Sequence, residues 1–107
     1  MDQEEQAAMT HRRISLAHKD AEGYVIPFGP FNLVLVATDT GMVGCGMVDV
    51  HALDRFDYPA ARVRSSTGGT IAAIDDLMEG IVKDVNEAAQ RCGIRTGMTG
   101  RQALDLL

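Results

Sequence analysis

The chain is poor in cysteine and has neither a long apolar run nor a cluster of bases, and each shortage removes a class of function. Cysteine occurs twice, at Cys45 and Cys92, and neither belongs to a CxxC pair. The three histidines form no His-x3-His pair. A structural zinc site needs several such ligands at close spacing and is excluded, so no metal is expected. No apolar stretch approaches the roughly 20 residues of a membrane span, so an integral membrane protein is not expected. Ten Lys and Arg stand against fifteen Asp and Glu, for a net charge of −5. The bases are scattered, with Arg12-Arg13 the closest grouping, and neutralising a phosphate backbone takes a basic patch. Nucleic acid is therefore not an expected partner. Met1-Asp2-Gln3-Glu4-Glu5-Gln6 lacks the basic start and apolar stretch of a secretion signal. The expected compartment is the reducing cytoplasm, where a structural disulfide does not persist.

What is present fits one domain. At 107 residues and 46% hydrophobic content, such a chain buries somewhat over roughly 60% of its unfolded surface, enough to fold with modest reserve. A partner packed on one face adds to that reserve. Residues 1–11 read as a disordered tail and 12–107 as the domain. Ile14, Leu16 and the stem of His18 alternate as a strand, and Asp20 to Gly23 supply turn chemistry before Tyr24-Val25-Ile26. Pro27 and Pro30 place an edge or a bend next. Phe31 to Ala37 is the clearest strand, and Asp39-Thr40-Gly41 turns it into a second apolar strand, Met42 to Val48. Both faces of this hairpin are apolar, so one meets helices and the other another subunit. Asp49 can cap a short helix over Val50 to Phe56. Ala61 to Arg64 reads as a last, edge strand. Thr70 caps a helix through Met78, and Gly80 breaks it. Ile81, Val85, Ala88 and Cys92 form one helical stripe closed by Gly93. Thr99-Gly100-Arg101-Gln102 is a capping box for a terminal helix. The expected class is α+β: an amino-terminal antiparallel sheet of about four to five strands, packed by carboxyl-terminal helices.

Two blocks carry a resemblance. The first is Asp39-Thr40-Gly41, then Cys45-Gly46, then Asp49-Val50. The second runs from Ile74-Asp75-Asp76-Leu77 through Ala88-Ala89 and Gly93-Ile94 to Gly97-Met98-Thr99-Gly100-Arg101 and Ala103-Leu104. In this order and separation they resemble the YunC-like family, from about Ile14 to the carboxyl end. The resemblance implies a domain whose amino-terminal sheet mediates tetramer formation, and it implies no agreed catalytic residue. Asp39, Cys45, Asp49 and Arg101 are present as family positions without an assigned role.

Candidate chemistry centres on Cys45. It lies between Gly44 and Gly46, where a ligand or another chain can approach its backbone. On a strand, Asp49 shares its face, and His51 reaches back if the chain turns. A thiol beside a base and a carboxylate is the outline of a nucleophile. The plainer reading makes Cys45 a small buried hydrophobe and Asp49 a helix cap. The Ser65-Ser66-Thr67-Gly68-Gly69-Thr70 loop enters a helix and can hold a phosphate or carboxylate with help from Arg64, or it is a connector with a Thr cap. His11, His18 and His51 share no spacing that unites them with Asp39 or Asp49 as metal ligands. Asp39 and Arg101 flank glycine turns, and with Arg64 they complete the ligand-binding candidates. Two functions follow: a homo-oligomeric binding or accessory protein with a small-molecule ligand and no cofactor, or a thiol-dependent enzyme acting through Cys45, Asp49 and His51. A redox or iron–sulfur role would need Cys45 of several subunits to converge.

Overall fold

The computed structural model describes residues 8–107. Six strands form one sheet in the order β1-β2-β3-β4-β5-β6: Thr10–Ser15, Asp20–Pro27, Asn32–Ala37, Met42–Gly44, Ala60–Arg64 and Ile81–Val85. A 3-10 helix, His51–Phe56, links β4 to β5, and three short helices follow: α1 Ile74–Met78, α2 Glu87–Arg91 and α3 Gly100–Asp105. The class is α+β, with strands towards the amino terminus and helices towards the carboxyl end. Residues 1–7 of the expected tail lie outside the described residues. Its expected boundary at residue 11 falls inside β1, which begins at Thr10.

The first four strands form an antiparallel meander, Ile14 opposite Ala21, Val25 opposite Val34 and Val36 opposite Val43. Pro27 ends β2 and Pro30 lies within the β2–β3 turn, where Phe28 N–H donates to the Phe31 carbonyl at 2.8 Å and Gly29 takes a positive φ of 78°. At the next turn Gly41 has no room for a side chain: a Cβ would stand 2.3 Å from the Pro59 carbonyl oxygen.

Two expectations about the sheet are corrected here. It holds six strands, and it is mixed, because β4 and β5 run parallel, with Val43 opposite Ala61. A parallel pair needs a crossover, which the segment carrying the 3-10 helix provides. The second correction concerns residues 81–92, expected as one helix. Ile81 to Val85 is strand β6, antiparallel to β5, and only Glu87 to Arg91 is helical. Strand β5 is thus interior, and its arginines do not guard an edge. A register shift between Arg62 and Val63 explains the misleading pattern. In a regular strand Val82 and Val85 would face opposite ways, but a bulge lets both turn inward. Apolar residues three apart then imitate a helix.

The helices cover one sheet face. Val34, Val36, Val43, Leu77, Ile94 and Leu104 are fully buried between the layers, and burying a side chain of this size contributes about 2 kcal/mol. Ile74 of α1 lies over β2, its Cδ1 2.8 Å from where a Cβ on Gly23 would be. The Thr99 capping box forms as expected: Thr99 Oγ1 accepts from Gln102 N–H at 3.1 Å, and Gln102 Oε1 accepts from Thr99 N–H at 2.9 Å. Gly93 follows α2 at φ 96°, the left-handed closure that glycine permits.

Candidate functional site: a groove at the ends of the parallel strands

Strands β4 and β5 point the same way, so their carboxyl ends open together. In open α/β sheets such ends bind ligands, because the outgoing loops diverge and leave a crevice. Here β4 leads into Cys45-Gly46-Met47 and β5 into Ser65, and between these loops lies a groove of about 330 Å³. Cys45 and Val63 line its base, Phe31, Met47 and Ile71 supply apolar wall, and Arg62, Arg64 and Lys83 supply charge.

Each cation has a distinct reason for its position. Arg62 sits opposite Asp84 across β5 and β6 and forms an ion pair with it, while its Nη1 donates to the Gly46 carbonyl at 3.3 Å. Arg64 ends β5, and its Nη1 donates to the Ser65 carbonyl at 3.2 Å. Lys83 is the residue the bulge turns outward, and it has no carboxylate within 4 Å among the described residues. Among the described residues no acidic one lines this groove, although the chain carries a net charge of −5.

The loop closing the groove is pinned by Asn32, whose Nδ2 donates to the Ala72 carbonyl at 2.9 Å. Thr70 does not cap a helix, since α1 begins four residues later. Just before that helix, Asp76 Oδ2 accepts from the N–H groups of Ala72 and Ala73 at 3.1 and 3.0 Å. The N–H groups of Gly69 and Thr70 have no acceptor among the described residues.

Each member of the expected thiol constellation has its own surroundings. Strand β4 stops at Gly44, and Val48 N–H turns back to the Cys45 carbonyl at 3.2 Å. The alternation that was to align Cys45 with Asp49 therefore does not continue to Asp49. Cys45 is 3% exposed, and its Sγ accepts a hydrogen bond from Val34 N–H at 3.4 Å. Asp49 lies just before Val50, the N-cap of the 3-10 helix, and its Oδ1 accepts from Ala52 N–H at 3.2 Å. His51 is exposed and lines a neighbouring depression with Asp49, which meets the Cys45 groove at Gly46, Met47 and Arg62.

The three ligand-binding candidates also separate. Arg64 lines the groove. Asp39 sits in the β3–β4 turn, where Lys19 Nζ donates to its Oδ1 at 2.8 Å and holds the carboxyl below its ordinary value. Arg101 is exposed on α3, beside Asp75, Met78, Glu79 and Thr99. Among the described residues no group of three His, Cys, Asp or Glu is placed to hold a metal ion. Sequence reasoning missed Arg62 and Lys83 as groove residues. The signal for Lys83 was a β-bulge, which spacing alone does not distinguish from a helical turn.

These features describe an α+β domain of a defined family. Residues 44–107 match the family described as Domain of unknown function (DUF1805), and the chain belongs to it. The match opens at Gly44 and so takes in the groove residues from Cys45 to Lys83, but not Phe31. The chain is similar to the Uncharacterized protein YunC of Bacillus subtilis (strain 168), 36% identical over 73 residues that make 68% of this chain and 71% of that one. Its fold is similar to that of TA1206, a protein of unknown function from Thermoplasma acidophilum. That comparison has a TM-score of 0.80 at 21% identity and covers 92% of this chain and 91% of the other.

Proposed function

We propose that this protein is a cytoplasmic homo-oligomer, a tetramer, that binds a small molecule and performs no covalent chemistry. The observation that carries the assembly is the uncovered face of the amino-terminal sheet. Pairing places Tyr24, Leu35 and Gly44 side by side on that face, opposite to Val34, Val36 and Val43. Tyr24, Ile26, Leu35 and Met42 are each half-buried there. Val48 folds onto Gly44, its Cγ2 2.5 Å from where a Cβ would be, with the Met42 methyl at 3.4 Å. Helices α1 and α3 pack against β2, β3 and β4 from the other side, leaving an apolar surface that a second copy covers. Apolar patches of this kind mark association surfaces. The charged edge formed by Arg12 and Arg13 on β1 discourages open-ended strand pairing. Two free cysteines fit a reducing compartment, and among the described residues no helix is long and apolar enough to cross a membrane.

The test is the mass of the protein in solution by light scattering at micromolar concentration. A multiple of 11.5 kDa, with four subunits as the expected value, supports the reading, and a monomer contradicts it.

A second reading, a thiol-dependent enzyme on a small metabolite, draws on one observation: Cys45 lines the groove. It requires Asp49 or His51 to assist from the adjoining depression. Alkylation of the folded protein across pH separates the two, because a Cys45 inert to pH 9 removes the enzyme.

A further inference from the structure

We infer that the groove at the carboxyl ends of β4 and β5 binds a small organic anion, its anionic head on Arg64 and Lys83 and its apolar body against Phe31, Met47 and Ile71. This names the ligand of the binding protein proposed above and rests on that reading. Four features of the groove converge on it. Among the described residues it has three cations and no acid in its wall. Only Arg62 is neutralised, by Asp84, so Arg64 and Lys83 carry charge without a carboxylate partner among the described residues. The N–H groups of Gly69 and Thr70 at the rim have no acceptor there either. Two large apolar side chains at its mouth are poorly covered, Phe31 at 52% and Met47 at 49% exposed.

An inorganic anion would use the charge and leave the apolar wall wet. A neutral apolar ligand would cover the wall and leave the ammonium and guanidinium without a counter-charge. An anion with a hydrocarbon body satisfies both, and a groove of about 330 Å³ is at the lower end of the range for small-molecule sites. The bulge is the structural device behind the charge, since it turns Lys83 out of the core and towards the end of β5. Arg62 acts at one remove: its Gly46 contact holds the β4 loop against β5. Carboxylate and phosphate heads share this chemistry, and separate probes distinguish them.

The experiment is a titration of the folded full chain, read by nuclear magnetic resonance, with octanoate, octyl phosphate and the neutral control octanol. Saturable shifts at Phe31, Cys45, Arg64 and Lys83 with at least one of the two anions are expected, at an affinity at least about tenfold above that of octanol. The stronger of the two identifies the head group. In the R64E/K83E double variant, whose altered positions are both exposed, anion binding falls by about tenfold or more. R64Q/K83Q falls between it and the native chain. Leu35→Lys, on the uncovered sheet face, leaves binding unchanged. Octanol binding as well as either anion, undiminished anion binding by R64E/K83E, loss of binding in Leu35→Lys, or no shifts with either anion at millimolar concentration would each overturn the inference. Solution mass is measured separately, so a monomer that binds octanoate refutes the assembly and spares the groove.

Discussion

Asn86 is fully buried and uses every hydrogen-bonding atom of its amide. Its Oδ1 accepts from Ala60 N–H at 3.1 Å and Ala89 N–H at 2.9 Å, and its Nδ2 donates to the carbonyls of Val50 and Tyr58 at 2.9 and 2.8 Å. One side chain therefore ties the start of β5 to the crossover segment and caps α2. Asn86→Ala strands several buried backbone groups at once, and each unsatisfied group costs 1–3 kcal/mol. Urea unfolding is expected to show a loss of about 3 kcal/mol or more. A loss below about 1 kcal/mol would show that water replaces the amide. This role was hidden in the sequence because Asn86 fell inside an expected helix, where the N-cap signal of an Asn before Glu87-Ala88-Ala89 goes unread. Charge acts at the same scale. The hydrogen bond with His11, and after it Arg13, holds Glu22 below its ordinary value of 4.5, and Lys19 holds Asp39 below 3.8. A depressed carboxyl contributes stability above its unfolded pKa and loses it as pH falls through the folded one. Stability should therefore decline as pH drops below 4.5, and Glu22→Gln should make that decline shallower in acid unfolding followed by circular dichroism. An identical decline in the variant would remove Glu22 from the account.

At the scale of elements, close approach separates one glycine from another. Gly100 opens α3, and a Cβ there would lie 2.1 Å from the Leu77 carbonyl oxygen, so α3 seats directly on the end of α1. Gly46, beside Cys45, meets nothing within 4 Å. Gly100→Ala is expected to destabilise by about 1–3 kcal/mol, as overpacking does, while Gly46→Ala stays within about 0.5 kcal/mol, as a surface change does. Equal melting temperatures for the two variants would contradict the seating of α3. The terminal helix was legible because its box is local: Thr99 and Gln102 satisfy each other across three residues. The β3–β4 hairpin was legible for the same reason, with alternation and turn residues close in sequence. Strand β6 was not, because its bulge depends on pairing with β5, and neither was the parallel β4–β5 pair, because nothing local encodes strand direction. The groove follows from both missed features. That is why its Arg64 was named from a loop argument and its Lys83 was not named at all.

At the scale of the molecule, the sheet divides the surface into a covered side and an uncovered one. The reading of residues 33–48 as apolar on two sides marked β3 and the start of β4, which ends at Gly44 and not at Val48, and half-buried Leu35 and Met42 stand opposite fully buried Val34, Val36 and Val43. The proposed assembly predicts that a charge on the uncovered face prevents association, whereas a charge at the groove does not. The deciding measurement is the solution mass of the native chain beside Leu35→Lys and Lys83→Glu at one concentration. The account predicts a tetramer for the native chain and for Lys83→Glu, with a folded monomer for Leu35→Lys. A native monomer, or a Leu35→Lys variant that assembles like the native chain, would contradict it.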